Sequence, residues 1–402
     1  MVSYQDALER MLKVVQPLAS ERLPLTAAYG RIVATPLVAP HPMPPFDQSL
    51  VDGYALRSRD TRTATPAQPV RLVLGQTLTA GEHLEQPVGP RQAIRIMTGA
   101  PVPPGANTVV KVEESEVEAG TLVLRRPLPR GLDVQRCGAE IRRGTVVVRQ
   151  GERLTPQRIG VALALGLDSV DVIRRPRVAL VAPGDELLPP GAAWQPGKKW
   201  CSNIYALDIR VQELGGASLN LGLVPDTLES LSTQLRRGLE SDVVVILGAS
   251  GRGDHDFAAR AMASVGAETL FRGVATSPGR SVTVARRAWT LFVGLPGSPW
   301  AAFVGFEVFV RPVLRAMCSQ HPALPVRQIA TLATPLRGHP GVTSFIPARL
   351  QPRGTGWLAL PIETMLALAR AEAHPVGLIV VPPHRHSLPS GSRVRLQPIT
   401  PW

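Results

Sequence analysis

Apolar residues recur along this chain with two spacings, and the places where the spacing changes divide it. From Ser3, the residues Ala7, Leu8, Met11, Leu12 and Val15 fall at helical intervals, and Ser3 followed by Asp6 reads as a helix start. Residues 42–150 then alternate in short segments broken by Pro and Gly, with strands predicted at residues 70–74, 93–97, 108–113 and 121–125. Helical spacing returns at Thr155-Pro156, a cap followed by a first-turn proline, and Gly166 closes that helix. The pattern is that of a β-rich insertion within a helical element.

The period changes again at Arg177. An apolar run at residues 178–182 ends at Pro183-Gly184, and a helix follows over residues 204–214, capped by Ser202 or Asn203 and stopped by Gly215-Gly216. Residues 219–224 form the next strand, and Asp226 with Glu229 reads as a capping pair for a helix reaching residue 239. A strand at residues 242–248, a helix at 256–265, strands at 282–285 and 290–293 and a long apolar helix over 299–318 complete the run. Strands alternating with helices imply a parallel sheet covered on both faces. Beyond Pro325 short strands return at residues 328–333, 343–349, 376–381 and 393–397. The expected organisation is an α/β domain (residues 1–20 with 174–327), a helical linker domain (21–41 with 150–173), an inserted β-rich domain (42–149) and a small C-terminal β domain (328–402).

Composition narrows the class of protein. A chain of 402 residues with 44% hydrophobic content supports several folded domains, and its 40 prolines and 36 glycines fit many strands and turns. No apolar run approaches the length of a membrane span, and Met1-Val2-Ser3-Tyr4 does not begin a signal peptide. Three widely separated cysteines, Cys137, Cys201 and Cys318, fit a reducing cytoplasm and make no metal-site spacing. The net charge of +13 is almost all Arg. No basic run with interleaved aromatics accompanies it, so nucleic-acid binding is not expected, although such a field suits an anionic small substrate.

The richest chemistry lies in Pro44-Pro45-Phe46-Asp47-Gln48-Ser49-Leu50-Val51-Asp52-Gly53-Tyr54-Ala55, where two carboxylates, a hydroxyl and an amide sit between a Pro-Pro and an Asp-Gly turn. A plain turn with solvated acids is the bland reading. Three further loops follow strands of the α/β region, where ligands of open parallel sheets bind. They are Pro183-Gly184-Asp185-Glu186, the Gly248 to Asp256 segment containing Ser250, Gly253 and Asp254, and Leu295-Pro296-Gly297-Ser298-Pro299. Glycines allow backbone approach to a phosphate, and the acids suit Mg²⁺ held through oxygen. Tight turns with acidic helix caps would explain each loop equally well when taken singly.

Taken together these segments resemble the molybdopterin molybdenumtransferase family (MoeA and the E domain of gephyrin), over nearly the whole chain. The first stretch resembles that family's Pro-Pro-Phe-Asp-Asn-Ser-Ala-Met-Asp-Gly-Tyr-Ala signature, and Arg95-Ile96-Met97-Thr98-Gly99-Ala100-Pro101 its second. Gly184-Asp185-Glu186-Leu187, Gly253-Asp254-His255-Asp256-Phe257 and Leu295-Pro296-Gly297-Ser298-Pro299 are similar to three more of its motifs. The resemblance implies an elongated four-domain homodimer in which the α/β domain of one subunit faces the inserted domain of the other. It implies insertion of molybdate into molybdopterin-AMP with Mg²⁺ and release of AMP. By the same resemblance, Asp52, Glu186 and Asp256 are catalytic and metal-holding. Ser49, Thr98, Gly184, Asp185, Asp226, Gly248, Ser250, Gly253, Arg280, Pro296, Gly297 and Ser298 bind substrate. Molybdopterin adenylyltransferase and molybdoenzyme apoproteins are the implied partners.

The departures from the family pattern cluster. Its Lys-Pro-Gly-Lys-Pro loop aligns with Ser277-Pro278-Gly279-Arg280-Ser281, so one Lys is lost and the other is Arg. Ala301 stands for a Ser, Leu247 and Ala249 for smaller residues, Cys201 for an Asp, Pro347 for an Arg, and Ala139-Glu140 for Glu-Asp, while residues 361–365 replace a Gly-Ser-rich turn. An oxyanion site needs cations and donors, and an Arg fork does not copy an ammonium. An alternative is therefore a non-catalytic relative that binds molybdopterin as a scaffold or as a chaperone for a molybdoenzyme.

Overall fold

The computed structural model describes residues 1–248, 254–320, 322–323, 328–362, 369–370 and 376–399, without the side chains of residues 254–256. Helix α1 (Tyr4–Val14) starts where the pattern predicts, with the Ser3 hydroxyl accepting from the Asp6 amide at 3.1 Å. Helix α2 (Pro156–Ala164) is capped in the same way by Thr155. Beside it, Ser20–Pro24 pairs antiparallel with Ser169–Ile173. The segment expected to be helical is thus half strand, because Val170 and Val172 alternate toward a small core that includes Leu25 and Leu154.

The inserted region forms a six-stranded sheet in the order Thr108–Lys111, Gly53–Leu56, Gln92–Ile96, Val70–Leu78, Thr121–Leu124, Glu116–Glu118. The strand Gly53–Leu56 is buried between two neighbours. A Cβ at Gly53 would lie 2.1 Å from the Val110 carbonyl oxygen, so only glycine allows this close pairing directly after Asp52.

The largest core belongs to a second six-stranded sheet, ordered Ala217–Val224, Arg177–Pro183, Val243–Leu247, Thr290–Leu295, Thr283–Arg287, Glu268–Arg272. The first four strands are parallel, as expected, but Thr283–Arg287 runs antiparallel to both of its neighbours, Thr290–Leu295 and Glu268–Arg272. The short connection between Thr283–Arg287 and Thr290–Leu295 can make only a hairpin. Helices α4 (Leu228–Arg237) and α5 (Asp254–Ser264) cover one face, while α1 and α3 (Asn203–Glu213) join the core on the other. Thr227, not Asp226, caps α4, accepting from the Ser230 amide at 3.2 Å. The predicted long helix is α6 (Pro299–Gly305), a wide π turn at Phe306–Val310, and α7 (Arg311–Met317). Pro312 cannot donate to the carbonyl one turn back, and the wide turn before it accommodates its ring.

The third large sheet contains Thr343–Arg353, Gly356–Pro361, Gln328–Leu332, Arg393–Pro398 and Val376–Val381, and pairing of the first with the last closes it. It also takes in Thr276–Ser277 from the α/β segment, parallel to Thr343 and Ser344. Its Phe345, Val376 and Leu378 share one core with the α/β strands. The Tyr4 ring stands edge-on to Phe345 and Phe309, at 4.9 and 5.7 Å between centroids.

Candidate active site

The strand Arg177–Pro183 has neighbours reached by crossing in opposite directions, which makes its carboxyl end the switch point of the sheet. A pocket of about 230 Å³ opens there, lined by Pro183, Glu186, Lys199, Asn203, Gly248, Gly297 and Ser298 among others. Four residues named from sequence, Glu186, Gly248, Gly297 and Ser298, therefore meet around one space. Gly184 adjoins them, because a Cβ there would sit 2.7 Å from Glu186 Oε2.

Each wall has a local cause. Leu187–Leu188 pairs in parallel with Lys199–Trp200, and the Lys199 amide donates to the Glu186 carbonyl at 2.9 Å. That ladder sets the Lys199 ammonium 3.0 Å from Glu186 Oε1. The Lys198 ammonium donates to the Asp185 carbonyl. Asn203, at the start of α3, donates to the Gly297 carbonyl at 2.7 Å and so ties two loops together. Ser298 caps α6, accepting from the Ala301 amide at 3.4 Å. Asp185 and Asp226 clasp each other, each carboxylate accepting the other's amide at 3.3 Å. Burial pushes the Glu186 pKa up, but the Lys199 hydrogen bond, its own backbone and the charges of Lys199 and Lys198 together hold it below the ordinary value.

A second acidic group lies on the inserted sheet. Thr98 donates to one Asp52 oxygen from both its amide and its hydroxyl, each at 2.7 Å. These two bonds, amide first, and then the Arg95 charge hold the Asp52 pKa below the usual carboxylate value against a small opposing effect of burial. Ser49 is buried and donates to the Val51 carbonyl at 2.6 Å. Asp47 is spent on structure, accepting from Arg136 at 2.6 Å and the Cys137 amide at 2.8 Å. The bland reading of the first signature thus holds for Asp47, whereas Asp52 stays exposed and ionised.

Arg280 is exposed, with its Nε 3.4 Å from Met1 Sδ, and is not among the residues lining the pocket. Ser250 and Gly253 lie outside the described residues, as does the Asp256 side chain, although its backbone is in α5. Lys198 and Lys199 escaped the sequence reading. A signal was present, since the chain has only four lysines (13, 111, 198 and 199) against 40 arginines, and two of the four adjoin one loop.

The model of the MoeA N-terminal region (domains I and II) matches residues 2–166, and that of a probable molybdopterin binding domain matches residues 179–316. The chain is 35% identical to molybdopterin molybdenumtransferase 2 of Mycobacterium tuberculosis, over 82% of this chain and 83% of that one. It is 31% identical to the molybdopterin molybdenumtransferase of Bacillus subtilis, over 98% and 93%. A crystal structure of a molybdopterin biosynthesis MoeA protein from Pyrococcus horikosii superposes with a TM-score of 0.88 at 30% identity, covering 100% of both chains. The acidic turn on the inserted sheet lies in the segment matched by the first model and the pocket at the α/β switch point in the segment matched by the second, and the chain belongs to the molybdopterin molybdenumtransferase (MoeA) family.

Proposed function

We propose that this chain inserts molybdate into adenylylated molybdopterin and releases AMP, as an enzyme of molybdenum cofactor biosynthesis. The observation carrying this reading is the pocket in which Glu186 and Lys199 stand 3.0 Å apart beside Asn203 and Ser298, a mixed-charge lining suited to a phosphoanhydride. Lys199 and Asn203 hold substrate phosphate oxygens, and Gly184, Asp185, Gly248, Pro296 and Gly297 let backbone approach them. Asp226 keeps the Asp185 loop in place. By the family likeness Ser250, Gly253 and Asp256 contribute as well, and Arg280 serves the oxyanion once it turns from Met1.

Asp52, oriented by Thr98, completes a partner's pocket in a two-fold homodimer. Phe46 and Leu50, 41% and 50% exposed in the single chain, flank it and suit a covered interface. Among the described residues no three His, Cys, Asp or Glu side chains cluster as a metal cage. The donors fit Mg²⁺, a hard ion held by carboxylate oxygens together with substrate phosphates. Glu186, Asp256 and Asp52 of the partner subunit would hold it. Bound there, the ion would offset charge on the bridging phosphates. The protein works in the cytoplasm, taking substrate from molybdopterin adenylyltransferase and passing product to molybdoenzyme apoproteins. Relatives that bear transferase names give the scaffold reading no support.

The test is AMP release from molybdopterin-AMP and molybdate. Asp52→Asn and Glu186→Gln should each lower it by roughly two orders of magnitude with the fold intact. Wild-type turnover in both variants would overturn these roles, and sedimentation as a monomer alone would overturn the shared site.

A further inference from the structure

A second pocket, of about 390 Å³, lies at the far end of α3, where the linker segment, α7 and the last described strand meet. Its walls carry the guanidinium groups of Arg153, Arg210, Arg311 and Arg315 and the carboxylate of Glu213. The nearby acids are already committed. Glu307, fully buried, accepts from Arg210 at 2.7 Å and Arg311 at 2.8 Å, and Glu213 accepts from Arg210 at 2.6 Å. Among the described residues at this pocket, four positive and two negative groups leave a local surplus of two positive charges.

The surplus sits on groups with unused donors. Arg311 Nε is buried and has no hydrogen-bond partner among the described residues. Arg153 spends one nitrogen on the Leu214 carbonyl at 3.3 Å, and Arg315 spends two on the Ala323 and Pro322 carbonyls at 3.0 Å. Carbonyl dipoles do not neutralise them, and burial followed by the charges of Arg311 and Arg153 draws the Arg315 pKa below its ordinary value. Converging, partly desolvated guanidiniums repel one another until an anion joins them. Leu214, Leu314 and Ile399 supply an apolar flank beside the cations.

We propose that this pocket binds a phosphorylated small molecule, its phosphate held by Arg153, Arg311 and Arg315 and its organic part against the apolar flank. The volume is in the range of small-ligand sites. The site is separate from the pocket at the strand ends, although α3 reaches both, with Asn203 at one end and Arg210 near the other. A ligand here also bridges the linker segment to α7, through Arg153 on one side and Arg315 on the other.

Calorimetric titration of the full chain with inorganic phosphate and, separately, with AMP tests this. Saturable binding is expected, weakened roughly tenfold or more by Arg153→Gln and by Arg315→Gln. That same component should persist in Lys199→Met, which alters only the other pocket. Tighter binding of AMP than of phosphate is expected, and equal binding would overturn the part given to the apolar flank. Arg153 is exposed, so its variant keeps the fold and decides the matter even if Arg315→Gln does not. No saturable binding, equal binding in wild type and Arg153→Gln, or a loss confined to Lys199→Met would overturn the proposal.

Discussion

Replacing Lys199 with Met keeps the stem and removes the ammonium, and the structure fixes how the two consequences should differ. The Lys199 and Glu186 side chains are 64% and 44% exposed, so their 3.0 Å pair is solvent-screened and contributes about 0.2–1 kcal/mol to stability. The melting temperature should therefore fall by no more than roughly 2–4 °C. A charge-assisted bond from the same ammonium to a substrate phosphate is worth about 1.5–3 kcal/mol, or roughly a ten- to hundredfold change in affinity. Loss of Lys199 also leaves burial to push the Glu186 pKa up, so the acid limb of the activity profile should move to higher pH. The assay is kcat/KM for AMP release across pH, with thermal melting of the same preparations. A KM within twofold of wild type, with an unmoved acid limb, would refute the role given to Lys199. A melting loss far beyond a few degrees would refute the reasoning that the pair is only surface-screened.

Thr98→Val removes one of the two bonds that depress the Asp52 pKa; because a lowered carboxylate pKa keeps the charged form down to lower pH, the acid limb of AMP release should shift upward, read in a pH–rate profile. Glu307→Ala strands the buried Arg210 and Arg311 and should cost about 3–5 kcal/mol, seen as a large drop in the thermal or urea midpoint. Ser277→Lys combined with Ala301→Ser should lower the molybdate concentration needed for half-maximal AMP release by roughly ten- to a hundredfold while leaving the pterin requirement unchanged. An unchanged molybdate curve in an active double variant would place the oxyanion elsewhere.

The α/β order was legible because the apolar runs at Arg177–Pro183 and Val243–Leu247 are buried on both faces and carry no alternation to confuse them. Glu268–Arg272 was not legible, since it is an edge strand with only Phe271 buried and its polar residues mimic a loop. Gly356–Pro361, bounded by Gly and Pro, escaped for a similar reason. Local spacing misled at Asp226, where the neighbouring Thr227 takes the cap and leaves the acid to grip Asp185 from 41 residues away. The pairing of Asp52 with Thr98 spans 46 residues and depends on strand register that no local pattern states. The Gly-rich loops announced the pocket, but its ammonium came from a short parallel pairing, and pairings of two residues carry almost no periodic signal.

The shared core between the α/β strands and the closing β sheet has a practical meaning for anyone rearranging this chain. Phe345, Val376 and Leu378 fill space beneath α1 and the π turn, and Thr343-Ser344 supplies the register partner for Thr276-Ser277. Cutting before residue 328 would not trim an appendage; it would unroof Tyr4 and Phe309 and release the strand that leads into the Pro278-Gly279-Arg280 loop. Hybrids that exchange the pterin-binding half between relatives must carry the terminal sheet with it, or inherit a loop with nothing to hold its entry.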